Sequence, residues 1–160
     1  MSIKVGDTLP EGAFTRMTAN GPAPITTGEV FAGKKVVLFA VPGAFTPTCS
    51  KQHLPGYLKE HDAIKAKGVD EIACLAVNDV FVMDEWAKAN GVGDRILMLA
   101  DGNGTYTKAL GLEFDLSKLG LGIRSRRFSM IVDNGVVKEL NVEPDAGVSV
   151  SGAGATVWPL

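Results

Sequence analysis

The chain has 160 residues, 46% of them hydrophobic and 21% charged, and carries a formal net charge of −2 at pH 7. That length suits one domain, expected to span residues 1–160, with a core large enough to fold without staples. The near-neutral balance gives nucleic acid no electrostatic hold, and no apolar run approaches the about 20 residues that cross a bilayer, so neither nucleic acid nor membrane is expected as a partner.

Residues 1–13 read as loop, broken by Gly6, Pro10 and Gly12. They hold neither an apolar signal core nor an Arg-rich, acid-poor leader, so a cytoplasmic location is expected. Residues 13–17 suit a short strand, Asn20-Gly21-Pro22 a turn, and 27–33 a further connection. Residues 35–41, rich in valine and apolar on both faces, predict a strand buried in a parallel sheet. From Cys49 to residue 67, Leu54, Tyr57, Leu58, His61 and Ile64 fall near one helical stripe. Pro55 removes a backbone donor about two turns in, which predicts a kinked or interrupted helix, and Gly68 ends it. Residues 71–77 predict a second buried strand, carrying Cys74, and 80–90 a helix with Phe81, Met83, Trp86 and Ala89 on its apolar side. A third strand at 95–100 leads through Asp101-Gly102-Asn103-Gly104 into a short helix at 105–110. Residues 111–125 lack periodicity and read as a long connection, a kind that often carries function. Asn134-Gly135 between strand-like runs at 126–132 and 136–142 is a strong hairpin signal. The tail after Pro144 is small and Gly-rich and is expected to carry little structure, with Trp158 as its anchor. This order describes an α/β thioredoxin-like sandwich: a central mixed sheet flanked by helices, with an N-terminal extension and a late β-hairpin.

Two cysteines, Cys49 and Cys74, occur without a CxxC or a Cys/His cluster at zinc spacing, so two core thiols are the plain reading. Cys49 departs from it. It stands where the 35–41 strand hands over to a helix, one turn after Thr46 and behind Pro42 and Pro47. A helix N-terminus offers unpaired N–H groups and a partial positive charge, which favour a thiolate. Lowering a thiol pKa from about 8.5 to about 6 raises the thiolate fraction at pH 7 only about thirty-fold, and nucleophilicity falls with it. Speed therefore needs donors that hold an oxidant in line and stabilise the oxygen that leaves. Thr46 can place its hydroxyl beside the sulfur, cap the helix, or both. Pro42 either shields the sulfur or simply punctuates the loop. A charged donor must come from elsewhere, and Arg124, Arg126 and Arg127 cluster at the start of the late strand, if they are not a solvated face. Alternation puts Arg126 and Arg127 on opposite faces and does not choose between them. His53, one turn after Cys49, offers a Cys–His hydrolase pair, although packing or capping is the commoner use of such a histidine. Asp101 and Asn103 suit turn chemistry better than metal ligation.

Pro42-Gly43-Ala44-Phe45-Thr46-Pro47-Thr48-Cys49-Ser50 contains PxxxTxxC and resembles the active-site segment of peroxiredoxins. Ala73-Cys74-Leu75-Ala76-Val77-Asn78-Asp79 and Arg127-Phe128-Ser129-Met130 resemble the type II, atypical two-cysteine branch, and the likeness spans residues 5–144. The resemblance implies a thioredoxin-like fold and a thiol-dependent peroxidase that reduces hydrogen peroxide and alkyl hydroperoxides through a Cys49 sulfenic acid, without metal or organic cofactor. It implies that Cys49 is the peroxidatic cysteine, that Thr46 and Arg127 (in preference to Arg126) orient peroxide and sulfur, and that Pro42 shields the site. It also implies a homodimer packed near the site, with Phe45 and the 120–124 loop as interface candidates. Unlike branch members that carry a resolving cysteine near the C-terminus, this chain has none after Cys74. Cys74, mid-strand, is expected to be a core thiol too far from Cys49 to bridge it, since a disulfide needs Cα atoms within about 7 Å; the alternative makes it the resolving thiol. The expected reductant is then glutathione with glutaredoxin, and thioredoxin second. A thioredoxin-like redox sensor or binding module without fast turnover is the rival from another class.

Overall fold

Gly21, at φ +102°, turns the chain between β1 (Ala13–Thr18) and β2 (Gly21–Thr26), and Thr18 Oγ1 donates to its carbonyl at 2.6 Å. The computed structural model describes residues 2–144 and 148–157. The expected turn is present, but Pro22, read as part of it, already lies in the strand that follows, which also runs through Pro24. β2 is an edge strand, where a missing donor faces away from the ladder and costs little. Residues 27–33, expected as plain connection, contain α1 (Thr27–Phe31). A capping box between Thr26 and Glu29 starts this helix, and Val30 and Phe31 bury its inner side.

β3 (Lys35–Ala40) pairs in parallel with β4 (Glu71–Ala76), which pairs in parallel with β5 (Leu97–Ala100). Between β3 and β4 the chain makes a helical turn from residue 47, α2 (Leu54–Lys59) and α3 (His61–Ala66); between β4 and β5 it makes α4 (Val80–Ala89). α4 buries Val80, Met83 and Trp86, while Phe81, expected on the apolar side, is 62% exposed. After α5 (Thr105–Leu110), the expected connection at 111–125 is itself a small hairpin, β6 (Glu113–Asp115) and β7 (Ile123–Ser125). Strands of three residues are too short to show a period. β8 (Phe128–Asp133) and β9 (Val136–Val142) form the expected hairpin, with Asn134 at φ 48° and Gly135 at φ 80°, the backbone a type I′ turn requires.

The described residues thus form a seven-stranded sheet in the order β2-β1-β5-β4-β3-β8-β9, with β8 antiparallel to β3. Alternation along β3 divides the core. Val37 and Phe39 face Tyr57, Cys74, Met83 and Trp86, while Val36 and Leu38 face Phe31, Tyr106, Leu110 and Met130. This is the thioredoxin-like α/β sandwich expected from the element order. No helix among the described residues is long and apolar enough to cross a membrane. The tail carries more structure than expected: Ser151 is buried and α6 (Ala153–Val157) follows it; Trp158 lies outside the described residues.

Candidate active site

Helical backbone starts at Pro47, two residues before the expected Cys49, and a proline suits that first position because its absent N–H would have no partner there. Cys49 therefore lies in the first turn. Residues Cys49–His53 form a π-turn, closed by the Leu54 N–H donating to the Cys49 carbonyl. The wide turn directly precedes Pro55, which cannot continue the ordinary ladder, and this is the interruption the proline predicts.

Side chains from two other parts of the chain fix the loop before Cys49. Asn78, two residues past the end of β4, accepts from the Ala44 N–H at 2.9 Å. Arg124 of β7 donates through Nη1 to the Pro42 carbonyl at 3.2 Å and through Nε to the Leu121 carbonyl at 2.8 Å. Gly43 leaves room for that guanidinium: a Cβ there would stand 2.8 Å from Arg124 Nη1 and 3.1 Å from Thr46 Cγ2. Thr46 Oγ1 donates to the Gly43 carbonyl at 2.6 Å, so its hydroxyl closes the loop on itself rather than capping the helix. Phe45 takes φ 64°, rare for a bulky residue, which turns its side chain outward to 54% exposure.

Cys49 is fully buried, and Arg127 Nη2 donates to its Sγ at 3.0 Å. Arg127 is 4% exposed, whereas Arg126 is exposed with its guanidinium 5.2 Å from the Phe114 ring centre. The two lie on opposite faces, as alternation requires, and Arg127 is the one turned inward. A buried guanidinium cannot shed its proton and needs acceptors around it. It finds the sulfur and His53 Nδ1, 3.0 Å from Nη1; Arg127 Nε is buried and unpartnered among the described residues. Because arginine only donates and a carbonyl only accepts, His53 must accept at Nδ1 and donate from Nε2 to the Ser151 carbonyl at 3.0 Å. Burial lowers its pKa from 6.5 to about 4; the Ser151 bond opposes that shift and the Arg127 charge adds to it. His53 is therefore neutral near pH 7. Both its nitrogens are engaged away from the sulfur, which removes the Cys–His hydrolase pair. Tyr57 donates to the same Ser151 carbonyl at 2.7 Å and stacks on Phe39 at 4.0 Å between ring centres.

The fold thus brings Arg127, just before β8, onto Cys49, while Pro42 and Thr46 lie in the loop that leads into the Cys49 turn. Cys74 is fully buried in β4 beside Phe39 and Met98, in the same core as Cys49, and both thiols are free. Burial first, and the nearby Cys49 second, push the Cys74 thiol well above its ordinary range. Asp101 caps α5, accepting from the Tyr106 and Thr107 N–H groups at 3.2 and 2.8 Å, and no metal-holding group of His, Cys, Asp or Glu occurs among the described residues. Two surface cavities, one lined by Arg16, Met83 and Met98 and one by Phe31 and Asn134, hold none of the Cys49 site. Sequence reasoning gives no site role to Asn78, Glu143 or Ser151, places Tyr57 only on a helical stripe, and takes His53 first as a packing or capping residue and second as a hydrolase base. Their signal is contact across the fold, which no local pattern carries.

Residues 4–157 match the family model described as Redoxin. Peroxiredoxin-2C of Oryza sativa subsp. japonica is 52% identical over 152 residues, covering 94% of each chain. Among solved structures, reduced Prx3 of Vibrio vulnificus in complex with hydrogen peroxide is 53% identical with a TM-score of 0.94, covering 98% of both chains. Oxidized Prx3 of the same organism is 54% identical with a TM-score of 0.91, covering 99% of both.

Proposed function

Because the chain belongs to the peroxiredoxin family, in its type II branch, and is a thiol-dependent peroxidase that takes a peroxide substrate and a thiol reductant, we propose that Cys49 is its nucleophile and that Thr46, Arg127 and Pro42 complete the site. One observation carries this reading: a buried guanidinium donates to a buried sulfur at 3.0 Å in the first turn of a helix. A thiolate there has a cation as its partner in a dry site, where such an interaction far exceeds its worth in water. The thiolate attacks one peroxide oxygen, the O–O bond breaks, and Cys49 becomes a sulfenic acid while the other oxygen leaves with the electron pair and takes a proton as water or alcohol. Arg127 Nε remains as a buried donor for a peroxide oxygen. Thr46 has committed its proton to Gly43, so toward substrate its hydroxyl acts as acceptor for the hydroperoxide O–H. Pro42, buried under the Arg124 contact, keeps water from the sulfur.

Recycling falls to an external thiol. Cys74 is held in the β4 ladder between β3 and β5, and burial keeps its thiol from ionising. One reductant thiol displaces water from the sulfenic acid to give a mixed disulfide, and a second releases Cys49 and leaves as the oxidised reductant. Glutathione with glutaredoxin is the first choice of donor and thioredoxin the second, in a cytoplasmic setting that keeps both reduced. Exposed Phe45, Phe81, Leu119 and Ile123 belong to the elements around the Cys49 loop and support a homodimer across that face. The proposed working unit is one domain of residues 1–160.

Anaerobic stopped-flow mixing with one equivalent of hydrogen peroxide, followed by mass spectrometry, tests the roles. Wild type forms Cys49 sulfenate within milliseconds to seconds. Arg127→Gln slows it about a hundredfold, as loss of one such donor does elsewhere; Thr46→Val, which removes the acceptor, slows it too, while Thr46→Ser stays within a few-fold. Fast oxidation of Thr46→Val or Arg127→Gln would overturn the assignment. Turnover with glutaredoxin against thioredoxin ranks the reductants, and sedimentation decides the dimer.

A further inference from the structure

Glu143 follows β9 and is only 3% exposed, an unusual place for a carboxylate that touches no substrate. It is saturated with donors from one short turn. The Ser149 N–H reaches its oxygens at 2.9 and 3.1 Å, the Ser149 hydroxyl at 2.7 Å, the Val150 N–H at 2.9 Å, the Ser151 N–H at 2.7 Å and the Ser151 hydroxyl at 2.6 Å. Burial alone would raise its pKa, but the bonds from Ser151 and Ser149 outweigh it and hold the group at about 2, so it is ionised at any physiological pH.

Two routes run from this carboxylate to the site. Through the backbone, the Glu143 N–H donates to the Arg127 carbonyl at 2.9 Å, because the two residues stand opposite each other beyond the β8–β9 ladder. Through side chains, the turn it holds presents the Ser151 carbonyl to His53 and Tyr57; His53 accepts from Arg127, and Arg127 donates to the sulfur. Each link has its donor or acceptor role fixed by chemistry, and His53, Arg127 and Ser151 are all buried. Without the carboxylate, five donors lose their acceptor, two of them on buried Ser151, and the turn cannot keep its place.

We infer that Glu143 is a positioning residue for the peroxidase site, holding the 149–151 turn so that Ser151 and His53 fix the plane of Arg127 against Cys49. This rests on the roles proposed above for Cys49 and Arg127. The peroxide-reducing end of the site is thereby assembled by a segment near the C-terminus that supplies no reacting atom.

A double-mutant cycle tests it in the full-length protein. Glu143→Gln is expected to slow Cys49 oxidation by hydrogen peroxide about tenfold, a partial version of the roughly hundredfold loss that a 1 Å misplacement brings. In an Arg127→Gln background the same change should cost less than twofold, because the group it positions is gone. An undiminished rate for Glu143→Gln, or an equal fold-loss in both backgrounds, overturns the inference while leaving the Arg127 role intact. An Arg127→Gln protein as fast as wild type would instead defeat that role, and the inference with it. Should Glu143→Gln lose its native circular dichroism, Ser151→Ala, which removes a single donor, takes its place in the cycle, with a two- to fivefold loss expected only when Arg127 is present.

Discussion

Acidification should loosen this site through His53 before it affects the carboxylates, and the size of the effect follows from the structure. The ring is buried and neutral, with a folded pKa of about 4 against 6.5 when exposed. The unfolded chain therefore binds a proton there more readily, so stability is full above pH 6.5 and is lost as the pH falls toward 4. The gap corresponds to about 3 kcal/mol, of which about 2.5 kcal/mol is gone by pH 4.5. Glu143 acts in the same direction but lower: its contribution is full above 4.5 and is lost as the pH falls toward 2. The window from pH 7 to 4.5 thus isolates His53. His53→Gln is the control, because a glutamine amide accepts from Arg127 and donates to Ser151 without titrating. Urea unfolding of the reduced proteins across that window should show wild type losing about 2.5 kcal/mol more than His53→Gln. His61, the other histidine, is common to both and cancels. Parallel stability curves for the two proteins would refute the buried neutral ring and the chain of donors built on it.

Two further outcomes follow. Gly43→Ala should push Arg124 off the Pro42 carbonyl, costing about 1 kcal/mol of stability for the lost bond and slowing peroxide oxidation several-fold; in an Arg124→Ala background most of the stability cost should vanish, as thermal melts would read. Cys74→Ser should keep nearly full turnover with glutaredoxin, and Cys74 should resist iodoacetamide until urea unfolds the chain; loss of turnover would sink the external-thiol account.

Local chemistry in the sequence determined a large share of this protein. Apolar runs without polar alternation marked β3 and β4, Asn134-Gly135 marked the hairpin, and Pro55 marked the interruption after Cys49, because each effect acts over a few residues. The family likeness proposed Cys49 as the nucleophile, with Thr46 and, over Arg126, Arg127 beside it. What sequence patterns left out was decided by position in the sheet. The prolines of β2 are tolerated only because that strand lies at the edge, and the three-residue strands of the 111–125 hairpin exist only by pairing with each other. Alternation left Arg126 and Arg127 open; Arg127 is the inward one because β8 pairs with β3 and turns that face of the strand end toward the helix bearing Cys49. Asn78 with the loop, and His53 with Arg127 and Ser151, meet across separations of 34 to 98 residues. No period or motif encodes such a meeting. Only the folded chain excludes water from those groups and so obliges each buried donor and acceptor to find the other.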